Sequence, residues 1–255
     1  MEHREYIRIC DGATTAVLFI HGILGTPDHF REFIPLVPAT VSVCNLLLDG
    51  HGKGAAAFSR TSMKKWEQQV SEAVEQLSAS HSNICIVAHS MGTLLAIEQA
   101  LKHTQISNLF LLAVPLRLSL KPAMFLNSMR VYFNRIRPGD EKALAAKACC
   151  GVENDPNLLH YIGWIPRFLE LFAKIRQTRR IIPLLQSPCV AYQSRNDEMV
   201  SRKSIRFLAQ NPRITVNELK GSGHYYYDPA DRVFLLAEFR RLFSEESQFY
   251  PVQKR

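Results

Sequence analysis

Apolar residues along this chain fall into two kinds of run that alternate. The first kind is short, nearly continuous and rich in β-branched residues: Thr15–Ile20, Thr40–Leu48, Asn83–Val87, Leu109–Val114, Pro188–Gln193 and Ile214–Leu219. Such runs predict strands, several of them buried on both faces as in a parallel sheet. A shorter strand-like stretch lies near Tyr6–Ile9. The second kind recurs at helical spacing. Trp66, Val70, Ala73, Val74 and Leu77 predict a helix from Ser62 to about Ser80, and Leu94, Leu95, Ile97, Ala100 and Leu101 predict one over Met91–Lys102. Helices are also predicted over Asp28–Val37, where Pro35 should shorten or kink the element, and over Ser201–Ala209. A last helix is predicted from Pro229, capped by Asp228, to about Ser244, with Val233, Leu236, Phe239 and Phe243 on one face.

The β-α alternation breaks between Leu116 and Leu185. There Phe125, Tyr132, Phe133, Leu158, Leu159, Tyr161, Trp164, Phe168, Leu171 and Phe172 mix with basic residues, and Pro122, Pro138, Pro156, Pro166 and Pro183 punctuate the stretch. This predicts short helices with no buried strand. The expected organisation is one core domain, residues 1–115 and 186–255, interrupted by a helical cap over 116–185 that leaves a strand's C-terminal edge.

A length of 255 residues with 47% hydrophobic composition is ample for one α/β domain with such an insertion. No apolar run approaches the roughly 20 residues of a membrane span, and no signal-peptide core is evident, so a soluble cytoplasmic protein is expected. Cys44, Cys85 and Cys189 sit in strand-like runs as small hydrophobes, and Cys149 and Cys150 read as helix-packing residues. No metal-ligand spacing occurs among the six cysteines. The net charge of +8 is uneven: Arg117–Arg180 holds twelve Lys/Arg against five acids. Either a solvated basic face or attraction to an anionic substrate or membrane surface accounts for it, and no nucleic-acid motif accompanies the charge.

The candidate chemistry centres on Ala88-His89-Ser90-Met91-Gly92, which joins a strand to a helix through a serine flanked two residues away by small side chains. A serine hydroxyl needs a base, and the base needs an oriented tautomer. Asp197 and His224 each follow a strand closely, so one edge of a parallel sheet would gather them with Ser90. His51, in another turn that follows a strand, reads as an immobilised loop histidine. Asp197 competes with Glu198 and Asp228 for contact with His224, and Asp228 is better explained as the helix cap.

The chain resembles the α/β-hydrolases, in particular compact bacterial carboxylesterases and monoacylglycerol lipases. The resemblance rests on His21-Gly22-Ile23-Leu24-Gly25-Thr26-Pro27, Asp49-Gly50-His51-Gly52, Ala88-His89-Ser90-Met91-Gly92, Asn196-Asp197-Glu198-Met199-Val200 and Gly221-Ser222-Gly223-His224, five motifs in family order over nearly the whole length. Ala88 stands where the family has glycine. The resemblance implies Ser90 as nucleophile, His224 as general base and then acid, Asp197 as its orienting carboxylate, and the backbone N–H groups of Ile23 and Met91 as an oxyanion hole. It implies no metal or organic cofactor. It makes the chain a serine hydrolase of carboxylic esters, and the aromatic and aliphatic content of the cap favours a small-molecule substrate carrying an aliphatic acyl group. An acyl thioesterase and a non-catalytic ligand-binding member of the fold are the alternatives.

Overall fold

The computed structural model describes residues 3–119, 128–131 and 135–244. The predicted insertion residues Lys121, Pro122, Phe125, Tyr132 and Phe133 lie outside the described residues.

Among the described residues, strands and helices follow one another along the chain. The first part runs β1 (Tyr6–Arg8), β2 (Thr15–Ile20), β3 (Ser42–Leu46), β4 (Lys53–Gly54), α1 (Ala55–Ser59), α2 (Met63–Ser78), β5 (Asn83–His89), α3 (Met91–Lys102) and β6 (Ile106–Leu112). After it come α4 (Glu141–Ala148), β7 (Val152–Glu153), α5 (Leu159–Ile162), α6 (Trp164–Ile181), β8 (Cys189–Ser194), α7 (Ile205–Leu208), β9 (Ile214–Leu219) and α8 (Pro229–Arg241). Seven strands form one sheet in the order β1-β3-β2-β5-β6-β8-β9, with only β1 antiparallel to its neighbour. The two-residue strands β4 and β7 pair separately and in parallel.

Alternation along the central strands supplies two cores. Ala16, Leu18 and Ile20 of β2 pack with Trp66, Val70, Leu94 and Leu95 of α2 and α3; Val17 and Phe19 face the other way, onto Phe30, Phe33, Leu235 and Phe239. A strand's period of two makes this division unavoidable once both faces are covered. Cys44, Cys85 and Cys189 are buried in β3, β5 and β8, as their surroundings predicted.

Four expectations are corrected. Asp28–Val37 is not a helix but two 3-10 turns, Pro27–Phe30 and Ile34–Leu36. A proline stands in the first turn of each, and Pro35, lacking an N–H, cannot continue a helix through that point. Ser201–Ala209 divides into a 3-10 turn, Arg202–Ser204, and α7, while the Ser204 hydroxyl accepts from Arg117 N (2.8 Å). Residues 116–185, expected to form short helices with no buried strand, contain an 18-residue helix, α6, because Pro166 falls in its first turn, where no intrahelical hydrogen bond is lost, and they contribute the short strand β7. On α8 the buried positions are Leu235 and Phe239, and Val233 is 72% exposed.

Charged side chains fasten α6 to the sheet domain. The Arg167 guanidinium donates to the carbonyls of Ser59 and Thr61 and to both carboxylate oxygens of Glu170, one of which also accepts from Met63 N (2.9 Å). Lys174, 3% exposed, bridges Glu67 (2.6 Å) and Glu98. Arg179 donates to Leu116 O (2.6 Å) and lies over the Phe207 ring. Among the described residues no helix is long and apolar enough to cross a membrane.

Candidate active site

Ser90 caps α3 directly after β5 and holds φ 49°, ψ −122°, a backbone conformation that side-chain-bearing residues rarely adopt. Hydrogen bonds on either side hold it there: Ser90 N donates to Leu112 O (2.9 Å), and Thr93 donates to Ser90 O through its hydroxyl (2.6 Å) and its N–H (2.9 Å). The tight turn drives α3 against β2. A Cβ on Gly92 would overlap the Ile20 carbonyl oxygen and stand 2.7 Å from that of His21. The demand for a small residue is therefore strict at 92, whereas the Ala88 methyl fits within the buried sheet.

Asp197 lies three residues beyond β8 and His224 five beyond β9, and the two side chains meet. Asp197 Oδ2 accepts from His224 Nδ1 (2.8 Å), while Oδ1 accepts from the N–H groups of Met199 and Val200 (2.7 Å each). Nδ1 must then carry the proton, and Nε2 presents its lone pair. Nε2 is buried and makes no hydrogen bond, so the structure joins Asp197 to His224 but leaves the Ser90 hydroxyl and His224 unbonded.

The rival carboxylates have other partners. Glu198 accepts from the backbone N of His224 (2.9 Å), and Asp228 caps α8 through Ala230 N (3.0 Å). Asp231, which the sequence did not single out, accepts from Lys220 N, Gly221 N, Ser222 N and the Ser222 hydroxyl, and so holds the turn that carries His224. Its signal was only an acid in the first turn of a helix, a common arrangement.

Two neutral histidines fix the loop after β2. His21 donates from Nδ1 to Gly22 O (2.9 Å) and accepts from Leu48 N at Nε2 (3.1 Å). His51 accepts from Leu24 N (3.1 Å) and donates to Leu48 O (3.1 Å), which makes it the loop histidine that was expected. Burial lowers both pKa values: His21 to well below the usual imidazole range, with nearby His51 adding to the effect, and His51 to about 4. The accepting Nε2 roles require the neutral form. Leu24 takes a positive φ of 57°, and a Cβ on Gly22 would stand 2.9 Å from that of Ser90, so this loop lies against the elbow. Among the described residues neither Ile23 N nor Met91 N makes a hydrogen bond. Met91 N is one of the orphan donors at the start of α3.

His89 and His29 complete the cluster. His89 Nε2 donates to His224 O (3.0 Å), and its ring lies between those of His224 and His29 (centroids 4.7 and 3.9 Å). His29 contacts the Tyr227 hydroxyl (3.2 Å) and Cys149 Sγ (3.5 Å), and burial lowers its pKa to about 3. His29 was invisible in the sequence because it sits inside what reads as a helix. A cavity of about 320 Å³ opens beside it, lined by Arg31 and Arg232 together with Asp28, Glu32 and Glu141. These mixed charges select no single sign of ligand. Among the described residues no three His, Cys, Asp or Glu side chains group as a metal set.

Comparison with known proteins places this arrangement. No curated protein sequence matches the chain. Among solved structures, one of the metagenome-derived lipolytic enzymes LipS and LipT superposes at TM-score 0.70 and 18% identity, covering 94% of this chain and 98% of its own. The monoacylglycerol lipase of Paleococcus ferrophilus gives 0.64 at 18% identity (95% and 98% covered). A thioesterase domain from the curacin biosynthetic pathway gives 0.59 at 17% identity (93% and 99% covered). Identities this low establish a shared fold and no more. By sequence, the alpha/beta hydrolase family matches residues 17–235, from β2 through the first half of α8. With that match spanning most of its length, the chain belongs to the alpha/beta hydrolase family.

Proposed function

We propose that this hydrolase cleaves carboxylic esters through an acyl-enzyme on Ser90. The observation that carries the reading is the buried, partnerless Nε2 of His224, with Asp197 engaging the other ring nitrogen and the strained Ser90 elbow alongside. His224 Nε2 takes the Ser90 proton as Oγ attacks the ester carbonyl. Asp197 stabilises the imidazolium that forms, and the N–H groups of Ile23 and Met91 receive the developing oxyanion. His224 then protonates the departing alcohol, and water, activated by the same nitrogen, releases the acid. A Ser–His bond that closes only when substrate is bound is common among such sites. Each oxyanion donor of this kind is worth about 3 kcal/mol in the transition state.

Residues 116–185 act in this reading as a cap over the site. Supporting this, Gly151 N donates to Leu24 O (2.8 Å) in the loop that carries Ile23, and β7 pairs with β4. The aromatic and aliphatic side chains of the cap favour an aliphatic acyl group, such as a short-chain ester or a monoacylglycerol, over a polar one. We also propose cytoplasmic placement, to which the six free thiols are suited.

The test is a screen of p-nitrophenyl esters of graded acyl length, acyl-CoAs and aminoacyl amides, with Ser90→Ala alongside. Turnover of an aliphatic ester that vanishes in Ser90→Ala, together with fluorophosphonate labelling of Ser90, is expected. A preference for acyl-CoA over every oxygen ester would replace the reading with a thioesterase. Absence of both turnover and labelling in folded protein would sink it in favour of a ligand-binding role.

A further inference from the structure

The outer face of the insertion is apolar along one line. Leu158, Leu159, Ile162, Ile165, Leu169 and Phe172 are all exposed, at 42 to 73%. From Leu158, the residue before α5, the steps to Ile162, Ile165, Leu169 and Phe172 are four, three, four and three residues, the spacing of one helical face, and Leu159 stands beside Leu158 at the start of the line. The opposite face of α6 buries Leu171, Lys174, Ile175 and Thr178 against the sheet domain, so the exposed line points outward. Six large apolar side chains in one continuous exposed line are unusual on a water-facing surface and mark a contact site.

The charge on the same helix decides what it contacts. Three of the five basic residues of α6 are used internally, as described: Arg167, Lys174 and Arg179. The other two, Arg176 and Arg180, are exposed, have no partner among the described residues, and continue the apolar line at intervals of four from Phe172. No acid lies among the exposed positions of α6 from Ile165 to Arg180. A second copy of this chain, itself carrying +8, would bring like charges together. A surface that is apolar beneath an anionic layer satisfies both parts of the line.

We propose that the outer face of α5 and α6 docks on anionic lipid bilayers, with the six apolar side chains entering the headgroup region and Arg176 and Arg180 meeting acidic headgroups. The helix lies in the plane of the interface, as amphipathic segments with an apolar face and basic flank do. The inference stands apart from the catalytic reading, since it uses no residue of the Ser90 site.

The experiment uses full-length Ser90→Ala protein, so that lipid is not turned over whatever the natural substrate is. Co-sedimentation is measured with vesicles of phosphatidylcholine alone and of phosphatidylcholine with phosphatidylglycerol, at low and raised salt. Binding to the anionic vesicles, weakened by salt, is expected. Arg176→Gln/Arg180→Gln should weaken it about thirtyfold, given the contribution of each basic residue near an anionic surface. Ile165→Asp/Leu169→Asp should weaken it by more than tenfold on both kinds of vesicle. Val233→Asp, at an exposed apolar position of α8, should leave binding unchanged. All these positions are exposed, so the variants should fold, and circular dichroism checks this. No binding to anionic vesicles, or binding indifferent to both double variants, overturns the proposal. A concentration-dependent dimer abolished by Ile165→Asp/Leu169→Asp also overturns it and assigns the face to a second copy.

Discussion

The C-terminal edge of the sheet and the outer face of the insertion are built on opposite principles. At the sheet edge polar groups are buried and almost all paired: Asp197 saturates its carboxylate on three donors, His21 and His51 each tie a loop, and Asp231 collects four donors. Among the described residues, those left without a partner include His224 Nε2, Ile23 N and Met91 N, the groups the proposed chemistry uses. On α6 charges do the fastening inward, and apolar side chains are left facing out. The contrast teaches where each region keeps its unsatisfied interactions: a lone pair in the interior at one, apolar surface without a partner at the other.

The largest effect that would break this contrast comes from the carboxylate pair beside His224. Asp197→Asn should lower kcat/KM for the preferred ester by about 10⁴-fold, because Asn cannot stabilise the imidazolium or hold its tautomer. Glu198→Gln, which keeps an acceptor for His224 N, should cost less than tenfold. Comparable losses for the two variants would mean that the geometry of the turn, rather than the ring contact, governs activity.

Next comes Gly92→Ala. Its methyl meets the Ile20 carbonyl in the tightest part of the fold, so a destabilisation of about 4 kcal/mol in urea unfolding is expected, or loss of folded protein. Acid acts on the same region. His51 and His29 have folded-state pKa values lowered to about 4 and about 3, and His21 and His89 are lowered well below the usual range, all chiefly by burial. The unfolded chain binds those protons from about pH 6.5 downward and the folded chain does not. Stability is therefore full above pH 6.5 and falls as pH drops towards 4, by up to ~1.4 kcal/mol per pH unit for each histidine. Thermal melts between pH 7 and pH 4 measure this, and His29→Gln should flatten the slope.

Smaller effects sharpen the other side of the comparison. Lys174→Met removes the cation shared by Glu67 and Glu98; both carboxylates keep some solvent access, so a loss of about 2 kcal/mol is expected rather than that of a fully buried pair. Adding Glu98→Gln should recover part of it. Leu169→Asp should change unfolding free energy by no more than about 0.5 kcal/mol, since that residue is 60% exposed. A large loss there would mean that the outer face is covered.

The elements that could be read from the sequence are those whose physics is local. The parallel strands were legible because burial on both faces leaves a continuous apolar run, and α2, α3 and the cap of α8 because period and capping residues are written in neighbouring positions. Asp28–Val37 misled because its apolar spacing is helical while its prolines exclude the hydrogen bonds that a helix needs. Pro166 misled in the opposite direction, because a proline's cost depends on where the helix starts. His29 and Asp231 carried no local sign of what they touch.

The sequence by itself determined the strand–turn–helix around Ser90, the glycine at 92 and the positions of Asp197 and His224 just past their strands. These follow from chain-local sterics and from the rule that parallel strands end on one edge. Only the tertiary structure decided that Asp197 rather than Glu198 meets the imidazole, that Arg167, Lys174 and Arg179 turn inward, and that Arg176 and Arg180 stay out with an apolar line. Those outcomes depend on which side of an element faces a neighbour distant in the chain, and no local pattern encodes that.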